Sequence, residues 1–82
     1  MRLKPSYKPL RKILVDRDMK PSSLYKEMGV SRSTASAINQ DRFVAMETIA
    51  VICNYLNCGI EDVVEFVDEN GRPMKYRADE LL

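Results

Sequence analysis

The feature of this 82-residue chain that most constrains its fold is a glycine between two short helical patterns, within residues 21–40. Leu24 and Met28 are four residues apart, so they share one face of a helix. Gly29 follows directly, where glycine allows a helix to end with a positive φ angle. Ser31 can cap a second helix, because its hydroxyl accepts a hydrogen bond from a free backbone N–H group. The pattern predicts two helices joined by a tight turn, which is the helix-turn-helix arrangement.

The second of these helices, predicted over residues 32–39, has an outer face of mostly short polar side chains. A helix face that is only solvated usually carries Glu and Lys, which are good helix formers. Ser and Asn form helices less well, so their presence costs helix stability and indicates another role. A small polar face can enter a DNA major groove closely, although glycine-containing helical corners also occur in proteins that bind no nucleic acid. The outer residues are Arg32, Ser33, Ser36, Ala37, Asn39 and Gln40.

The segment EMGVSRST, followed by the spacing I-x-x-I-C-x-x-L-x-C, carries a family resemblance. Both resemble the phage-repressor and Cro-like helix-turn-helix regulators, the XRE family, and the resemblance extends over about residues 6–67. It implies an all-α fold, a compact five-helix repressor-like DNA-binding domain over residues 1–67, with a short C-terminal β-hairpin or a tail over residues 68–82. The implied helices span about residues 6–18, 21–28, 32–39, 46–57 and 60–66.

Three positions depart from the family pattern. Tyr25 stands where the family usually has a small residue, and Ala35 stands where it usually has a branched aliphatic residue. These two positions meet where the helices cross, so we expect a large ring opposite a methyl group and a nearly unchanged total volume. Pro21 replaces a glutamine that often contacts a phosphate in the family, so this chain lacks that side chain.

Apolar residues at helical spacing predict the core of the domain. Ala45, which precedes the fourth helix, has no side-chain acceptor, so this helix is expected to lack an N-terminal cap. The inward stripes comprise Leu10, Ile13 and Leu14 in the first helix and Ile49, Ile52, Cys53 and Leu56 in the fourth.

The C-terminal part of the chain carries more apolar surface than one short helix buries. Gly59 is expected to start the fifth helix, and the surplus beyond it predicts a dimer interface. Asn70 and Gly71 are a strong two-residue turn signal, so their neighbours form either a short hairpin or a frayed tail. The predicted interface residues are Val63, Phe66, Val67, Met74 and Tyr76.

Composition bounds the class of protein. The chain has the length of one domain, and no apolar run approaches the ~20 residues that span a bilayer. Net charge is only +1, but residues 1–60 hold ten basic and five acidic residues, whereas residues 61–82 hold three and seven. A basic body with an acidic end suits one surface that faces DNA and another that faces away.

Several functional classes are not expected. The chain has no histidine, no phosphate-binding glycine loop and no nucleophile with a visible base, so we do not expect an enzyme. Cys53 and Cys58 fit no common zinc spacing and are interpreted as reduced core residues. We expect a cytoplasmic protein without a cofactor, a membrane segment, a signal peptide or a small-molecule effector domain.

The leading hypothesis is a sequence-specific transcriptional regulator, expected to be a repressor, that binds double-stranded DNA as a homodimer. The predicted 32–39 helix would lie in the major groove. The alternative is a protein-interaction module, such as an antitoxin or an adaptor on the same fold. The hypothetical base contacts are Arg32, Ser33, Ser36, Ala37 and Gln40, and the phosphate contacts are Lys20, Ser22, Ser23, Ser31, Thr34, Asn39 and Arg42.

Overall fold

The computed structural model describes residues 2–74. This part of the chain contains four α-helices and a two-stranded antiparallel sheet. None of these helices is both long enough and apolar enough to cross a membrane. In chain order the elements are β1 (Lys4–Ser6), α1 (Lys8–Asp16), α2 (Ser23–Lys26), α3 (Arg32–Asn39), α4 (Met46–Leu56), a 3₁₀ turn (Ile60–Asp62) and β2 (Glu65–Val67).

One cluster of buried apolar residues joins all four helices. The predicted stripe residues Ile13 and Cys53 lie half-buried at the edge of this cluster rather than inside it. Cys53 and Cys58 are free thiols, and both pack against the core. The buried members are Tyr7, Leu10, Leu14, Leu24, Met28, Val30, Ala35, Ile38, Ile49, Ile52, Leu56 and Val63.

The predicted fifth helix over residues 60–66 is wrong, and so is the all-α class. A single 3₁₀ turn, Ile60–Asp62, occupies its start, and the chain then becomes the extended strand β2. Val64, Phe66 and Val67 are β-branched or aromatic, which favours extended backbone when a partner strand is available. That partner is β1, so the fold is a four-helix helix-turn-helix domain with a small sheet.

The sheet pairs the two ends of the described chain. Pro5 lies opposite Phe66 in the antiparallel register of β1 and β2. The Phe66 carbonyl accepts a hydrogen bond from the Met74 N–H group at 2.9 Å, on the side away from β1. Pro5 and Phe66 are therefore a non-hydrogen-bonded pair, and the proline nitrogen, which has no N–H, points out of the sheet.

The turn after β2 lies over residues 68–72. The Asp68 N–H group donates to the Arg72 carbonyl at 2.9 Å, and Gly71 has φ +78°. Beyond the turn, one isolated bridge joins Val67 to Pro73. Residues 66–68 and 72–74 are therefore joined by backbone contacts across this turn, while β2 also pairs along its length with β1. The rest of the predicted hairpin or tail, residues 75–82, lies outside the described residues. The predicted interface residue Tyr76 lies outside the described residues.

The first two helices are shorter than predicted. The first helix was predicted from residue 6, but Ser6 belongs to β1, and α1 starts at Lys8. The residues before α2 form a tighter turn, because the Ser23 N–H group donates to the Lys20 carbonyl at 2.9 Å, an i to i+3 bond. α3 has the predicted bounds, and α4 starts where predicted and ends at Leu56.

Candidate nucleic-acid interface

The turn between α2 and α3 contains a glycine in the left-handed region. Gly29 has φ +78°, and a Cβ atom placed there would meet nothing within 4 Å. Backbone conformation rather than space therefore favours glycine, and the predicted positive φ angle is confirmed. The next residue, Val30, is buried, and its N–H group donates to the Leu24 carbonyl at 3.0 Å. This bond ties the start of α3 to α2.

A serine caps the N-terminus of α3. Ser31 has φ −63° and ψ 154°, and its Oγ accepts a hydrogen bond from the Thr34 N–H group at 3.2 Å. The same hydroxyl donates to Thr34 Oγ1 at 2.8 Å. The predicted cap is confirmed, and a cap of this kind contributes about 1 kcal/mol to helix stability.

The helix α3 turns two side chains inward and exposes a polar strip. Ala35 and Ile38 are buried, so they fix the helix against the core. On the exposed side, the Gln40 Nε2 group donates to Ser36 Oγ at 3.0 Å. At 3.6 residues per turn, four exposed residues fall within roughly 100° of the helix surface. We call this set the polar strip of α3, and its members are Arg32, Ser33, Ser36 and the C-terminal cap residue Gln40.

An aromatic ring from α2 lies beneath the first residue of α3. The Arg32 Cζ atom is 4.9 Å from the centroid of the Tyr25 ring, which is a cation–π distance. Tyr25 is half-buried and packs against the core, while Ala35 is buried. Sequence reasoning treated Tyr25 only as a volume swap and missed this contact. No pattern within either helix indicates this contact, because it depends on how α2 and α3 cross.

The loop after α3 is attached to the start of α1 through one carboxylate. Asp41 has φ +54°, a left-handed conformation that Asp tolerates better than most residues. Its Oδ1 accepts hydrogen bonds from the Tyr7 N–H group at 3.0 Å and from Arg11 Nη2 at 3.0 Å. Sequence reasoning assigned none of these three residues to the site, because the contacts join positions at least 30 apart.

The Tyr7 side chain makes a second attachment to the same loop. Its hydroxyl donates to the Arg42 carbonyl at 2.8 Å. Burial, with a smaller effect from the negative charge of Asp41, raises the pKa of the Tyr7 hydroxyl above its usual value. Tyr7 therefore stays a neutral hydrogen-bond donor, and the backbone of Arg42 is held at a fixed place beside the end of α3.

The other predicted contact residues are mostly available to a ligand. Among the predicted base contacts, only Ala37 is half-buried, and the rest are exposed. Among the predicted phosphate contacts, Ser23 is buried, with 8% of its surface exposed, so it offers little surface to a phosphate. The exposed or half-buried phosphate candidates are Lys20, Ser22, Ser31, Thr34, Asn39 and Arg42.

Val63 was predicted to lie in a dimer interface, and its burial shows that this prediction is wrong. Val63 has 0% exposure and belongs to the core, so it offers no surface to a partner. Its carbonyl accepts a hydrogen bond from the Leu10 N–H group at 3.3 Å, which holds it against α1, and its own N–H group closes the 3₁₀ turn by bonding to the Ile60 carbonyl at 2.9 Å. Phe66 and Met74 are about half exposed, at 51% and 47%, and Val67 is half-buried.

An apolar hollow of about 350 Å³ lies beside Phe66. The Phe43 ring, from the loop after α3, lies 6.4 Å from the Phe66 ring, centroid to centroid, with 50° between the planes. Phe43 and Met46 are 66% and 69% exposed, which is high for side chains of this size. Glu61 and Glu65 also line the hollow, so its border is acidic. We call it the Phe43–Phe66 hollow, and its remaining apolar lining is Pro5, Tyr7, Val44, Ile49, Ile60 and Val64.

Comparison with known proteins agrees with this geometry. The model of the Cro/C1-type HTH DNA-binding domain matches residues 9–69, which is more than half of the chain. Among solved structures, the chain is similar to the transcriptional regulator VanUg, crystal form II, at 38% sequence identity and a TM-score of 0.80. That similarity covers 84% of this chain and 92% of the VanUg chain. The search of curated proteins found no match. The chain belongs to the Cro/C1-type HTH DNA-binding domain family.

Proposed function

We propose that this protein is a sequence-specific transcriptional regulator that inserts α3 into the major groove of double-stranded DNA. The observation that carries the proposal is the polar strip of α3, which is exposed while Ala35 and Ile38 fix the opposite side of the helix. A major groove about 12 Å wide admits one α-helix and presents donors and acceptors on every base pair. The similarity to VanUg, described as a transcriptional regulator, supports the same conclusion.

The base contacts follow from the donors and acceptors of the strip. Arg32 can fork onto the O6 and N7 atoms of guanine. Gln40 donates one N–H to Ser36 Oγ, which leaves its Oε1 atom and its second N–H for an adenine edge. Ser33 can bond to several base edges, and the Ala37 methyl group suits the methyl group of thymine.

The phosphate contacts set the register of α3 on the duplex without reading sequence. Lys20 and Arg42 supply positive charge before α2 and after α3, and the Arg42 backbone is fixed by Tyr7. Short polar side chains add neutral contacts, and Ser23, of which only 8% is exposed, is left out of the proposal. The proposed neutral contacts are Ser22, Ser31, Thr34 and Asn39.

Binding as a homodimer and repression are the finer parts of the proposal. A dimer lets one short helix per protomer read two half-sites about 34–36 Å apart. The Phe43–Phe66 hollow suits a second copy, because a two-fold interface needs a surface that is complementary to itself. Here Phe43 and Met46 protrude beside the hollow that would receive their counterparts. A promoter occupied in this way is closed to other proteins, so we expect repression in a reporter assay.

Titration of the 82-residue chain with DNA tests the main proposal. Amide chemical shifts are followed at low salt as a pool of short duplexes of mixed sequence is added. Shifts that cluster at residues 20–26 and 31–42 are expected, and their absence would overturn DNA binding through α3. Removal of one cationic phosphate contact, by Lys20→Ala, should reduce the salt slope of binding by ~1, because each contact releases counterions.

Sedimentation of the free protein tests the homodimer separately. Phe66→Ser should lower the average mass toward that of one chain, because it removes an aromatic side chain from the border of the hollow. Tyr55→Ser is the matched control, since Tyr55 is 48% exposed and does not line the hollow. A wild-type protein that sediments as a monomer at all concentrations would overturn the dimer and leave the DNA proposal intact.

A protein-interaction module remains the second candidate, and the Phe43–Phe66 hollow favours it. Its acidic border suits a partner segment that combines apolar and basic side chains. This candidate predicts no shifts in α3 on addition of DNA and no dependence of binding on the polar strip. It would replace the main proposal if a peptide of that chemistry shifted Phe43, Ile60 and Phe66 while DNA shifted nothing.

A further inference from the structure

The contact between Tyr25 and Arg32 places a cation where helix electrostatics disfavour it. Arg32 is the first residue of α3, at the positive end of the helix dipole. Good N-terminal helix residues at this position are neutral or acidic, so an arginine here weakens the helix. The π face of the Tyr25 ring, 4.9 Å from Cζ, offsets this cost by attracting the guanidinium.

We propose that Tyr25 is a positioning residue that holds the Arg32 guanidinium ready to bind guanine in the major groove. The inference rests on the proposed DNA-binding function and adds a residue that the helix α3 does not contain. It gives the large ring at position 25 a role beyond packing against the core.

The ring is a fixed platform. Tyr25 lies on α2 and packs against the core through its half-buried side chain. An arginine side chain has roughly 2 kcal/mol of rotamer entropy, and part of this is lost when it binds a base. A guanidinium that already lies over a fixed ring has lost part of that freedom before DNA arrives, so binding costs less.

The arrangement leaves the binding edge of Arg32 unused. A cation–π contact is made by the charge of the guanidinium and does not pair an N–H group of its fork with an acceptor atom. Among residues 2–74, the Arg32 side chain makes no salt bridge and donates no side-chain hydrogen bond, in contrast to Arg11, which is bound to Asp41. The two N–H groups that a guanine needs are therefore free while the ring holds the cation.

The test is a double-mutant cycle on the 82-residue chain, with a duplex that the wild type selects from a random pool. Arg32→Ala should weaken binding and abolish the preference for one guanine, with a loss of about 5- to 150-fold. Tyr25→Leu should weaken binding about two- to fivefold and weaken discrimination at the same guanine, since an exposed cation–π pair is worth about that much. In the Arg32→Ala background, Tyr25→Leu should have no further effect.

Tyr25→Phe is the matched control, because it keeps the ring face and removes only the hydroxyl. It should bind within about twofold of the wild type, which would exclude the hydroxyl as the source of the effect of Tyr25→Leu. In the free protein, the Arg32 Nε–H resonance should carry a ring-current shift that Phe preserves and Leu removes. This measurement needs no DNA, and the wild-type resonance itself tests the contact if Tyr25→Leu folds poorly: an Arg32 Nε–H shift equal to that of an ordinary exposed arginine would contradict it.

Three results would overturn the inference. The first is an equal effect of Tyr25→Leu in the presence and absence of the Arg32 side chain, which would mean that Tyr25 acts through the fold. The second is a uniform loss of affinity in Arg32→Ala without loss of base preference, which would make Arg32 a phosphate contact. The third is an Arg32 Nε–H resonance that is the same in Tyr25→Leu and the wild type. A wild type that selects no duplex from the pool would instead overturn the proposed function itself.

Discussion

Tyr7 and Arg42, which are 35 residues apart, are joined by a hydrogen bond of 2.8 Å from the phenol hydroxyl to the backbone carbonyl. The Tyr7 side chain is almost fully buried, so this bond crosses from the core to the loop that follows α3. Because Arg42 is a proposed phosphate contact, the same bond connects the stability of the fold with the geometry of the DNA-facing loop.

Tyr7→Phe is expected to lower the free energy of unfolding by about 0.5–1.5 kcal/mol, since it leaves the Arg42 carbonyl without its donor. The urea midpoint measures the change. Tyr55→Phe, at a half-exposed position on α4, is the control and should stay within roughly 0.5 kcal/mol of the wild type. Equal effects of the two substitutions would show that the Tyr7 bond contributes nothing.

Asp41 accepts a hydrogen bond from the Tyr7 N–H group, pairs with the Arg11 guanidinium and has a left-handed backbone. Two substitutions can separate these three roles. Asp41→Asn keeps an acceptor for the Tyr7 N–H group and tolerates the left-handed backbone, so it loses only an exposed ion pair worth about 0–1 kcal/mol. Asp41→Ala also loses the acceptor and strains the backbone, so it should cost about 2–3 kcal/mol. Thermal and urea unfolding of both variants measure the difference. A result in which Ala is no worse than Asn would contradict the role given to this turn.

Ala45 is the uncapped start of α4, as the sequence predicted. Its backbone is extended, with φ −62° and ψ 143°, and no side chain accepts from the first turn of the helix. Ala45→Ser should raise the free energy of unfolding by about 1 kcal/mol, because the hydroxyl can accept from the Thr48 N–H group. Ala50→Ser, on the exposed face of the same helix, should lower it by roughly 0.5 kcal/mol. Changes of the same sign at both positions would count against the cap.

Asp68 makes the turn after β2 sensitive to acid. Its carboxylate accepts from the N–H groups of Arg72 and Asn70, each at 2.9 Å, and the bond from Arg72 is the larger cause of its lowered pKa. A carboxyl whose folded pKa is lowered stabilises the turn above its ordinary pKa and loses that contribution as pH falls through the lowered value.

An NMR titration of the Asp68 carboxyl should therefore have its midpoint below the ordinary aspartate value, with the Arg72 amide shift following the same curve. In Asp68→Asn the Arg72 amide should show no such transition. A midpoint at or above the ordinary value would contradict the hydrogen bonds of this turn.

The elements that sequence reasoning predicted well depend on neighbours three or four residues away. Ser31 caps α3 through Thr34, and Gly29 needs its positive φ whatever surrounds it. Signals of this kind are complete within one helical turn, so the start and end of α3 could be predicted.

The elements that sequence reasoning missed depend on partners that are distant in the chain. Phe66 and its neighbours became a strand because β1, more than fifty residues earlier, lies beside them. The links from Asp41 to Tyr7 and Arg11 span 30 or more residues, and the contact of Tyr25 with Arg32 depends on how two helices cross. No local pattern contains these partners, so the strand and the supports of the candidate interface could not be predicted.

The position of Pro5 decides which routes of self-association the protein has. An exposed strand edge normally templates the addition of further strands, which leads to filaments and aggregates. Pro5 is the central residue of β1, and its nitrogen, which faces away from β2, carries no hydrogen. A strand from another molecule would therefore lack one backbone hydrogen-bond donor if it paired with this edge of β1. Association between copies is therefore favoured through side-chain contacts, which can form a closed dimer. Backbone pairing between strand edges, which would form open filaments, is disfavoured.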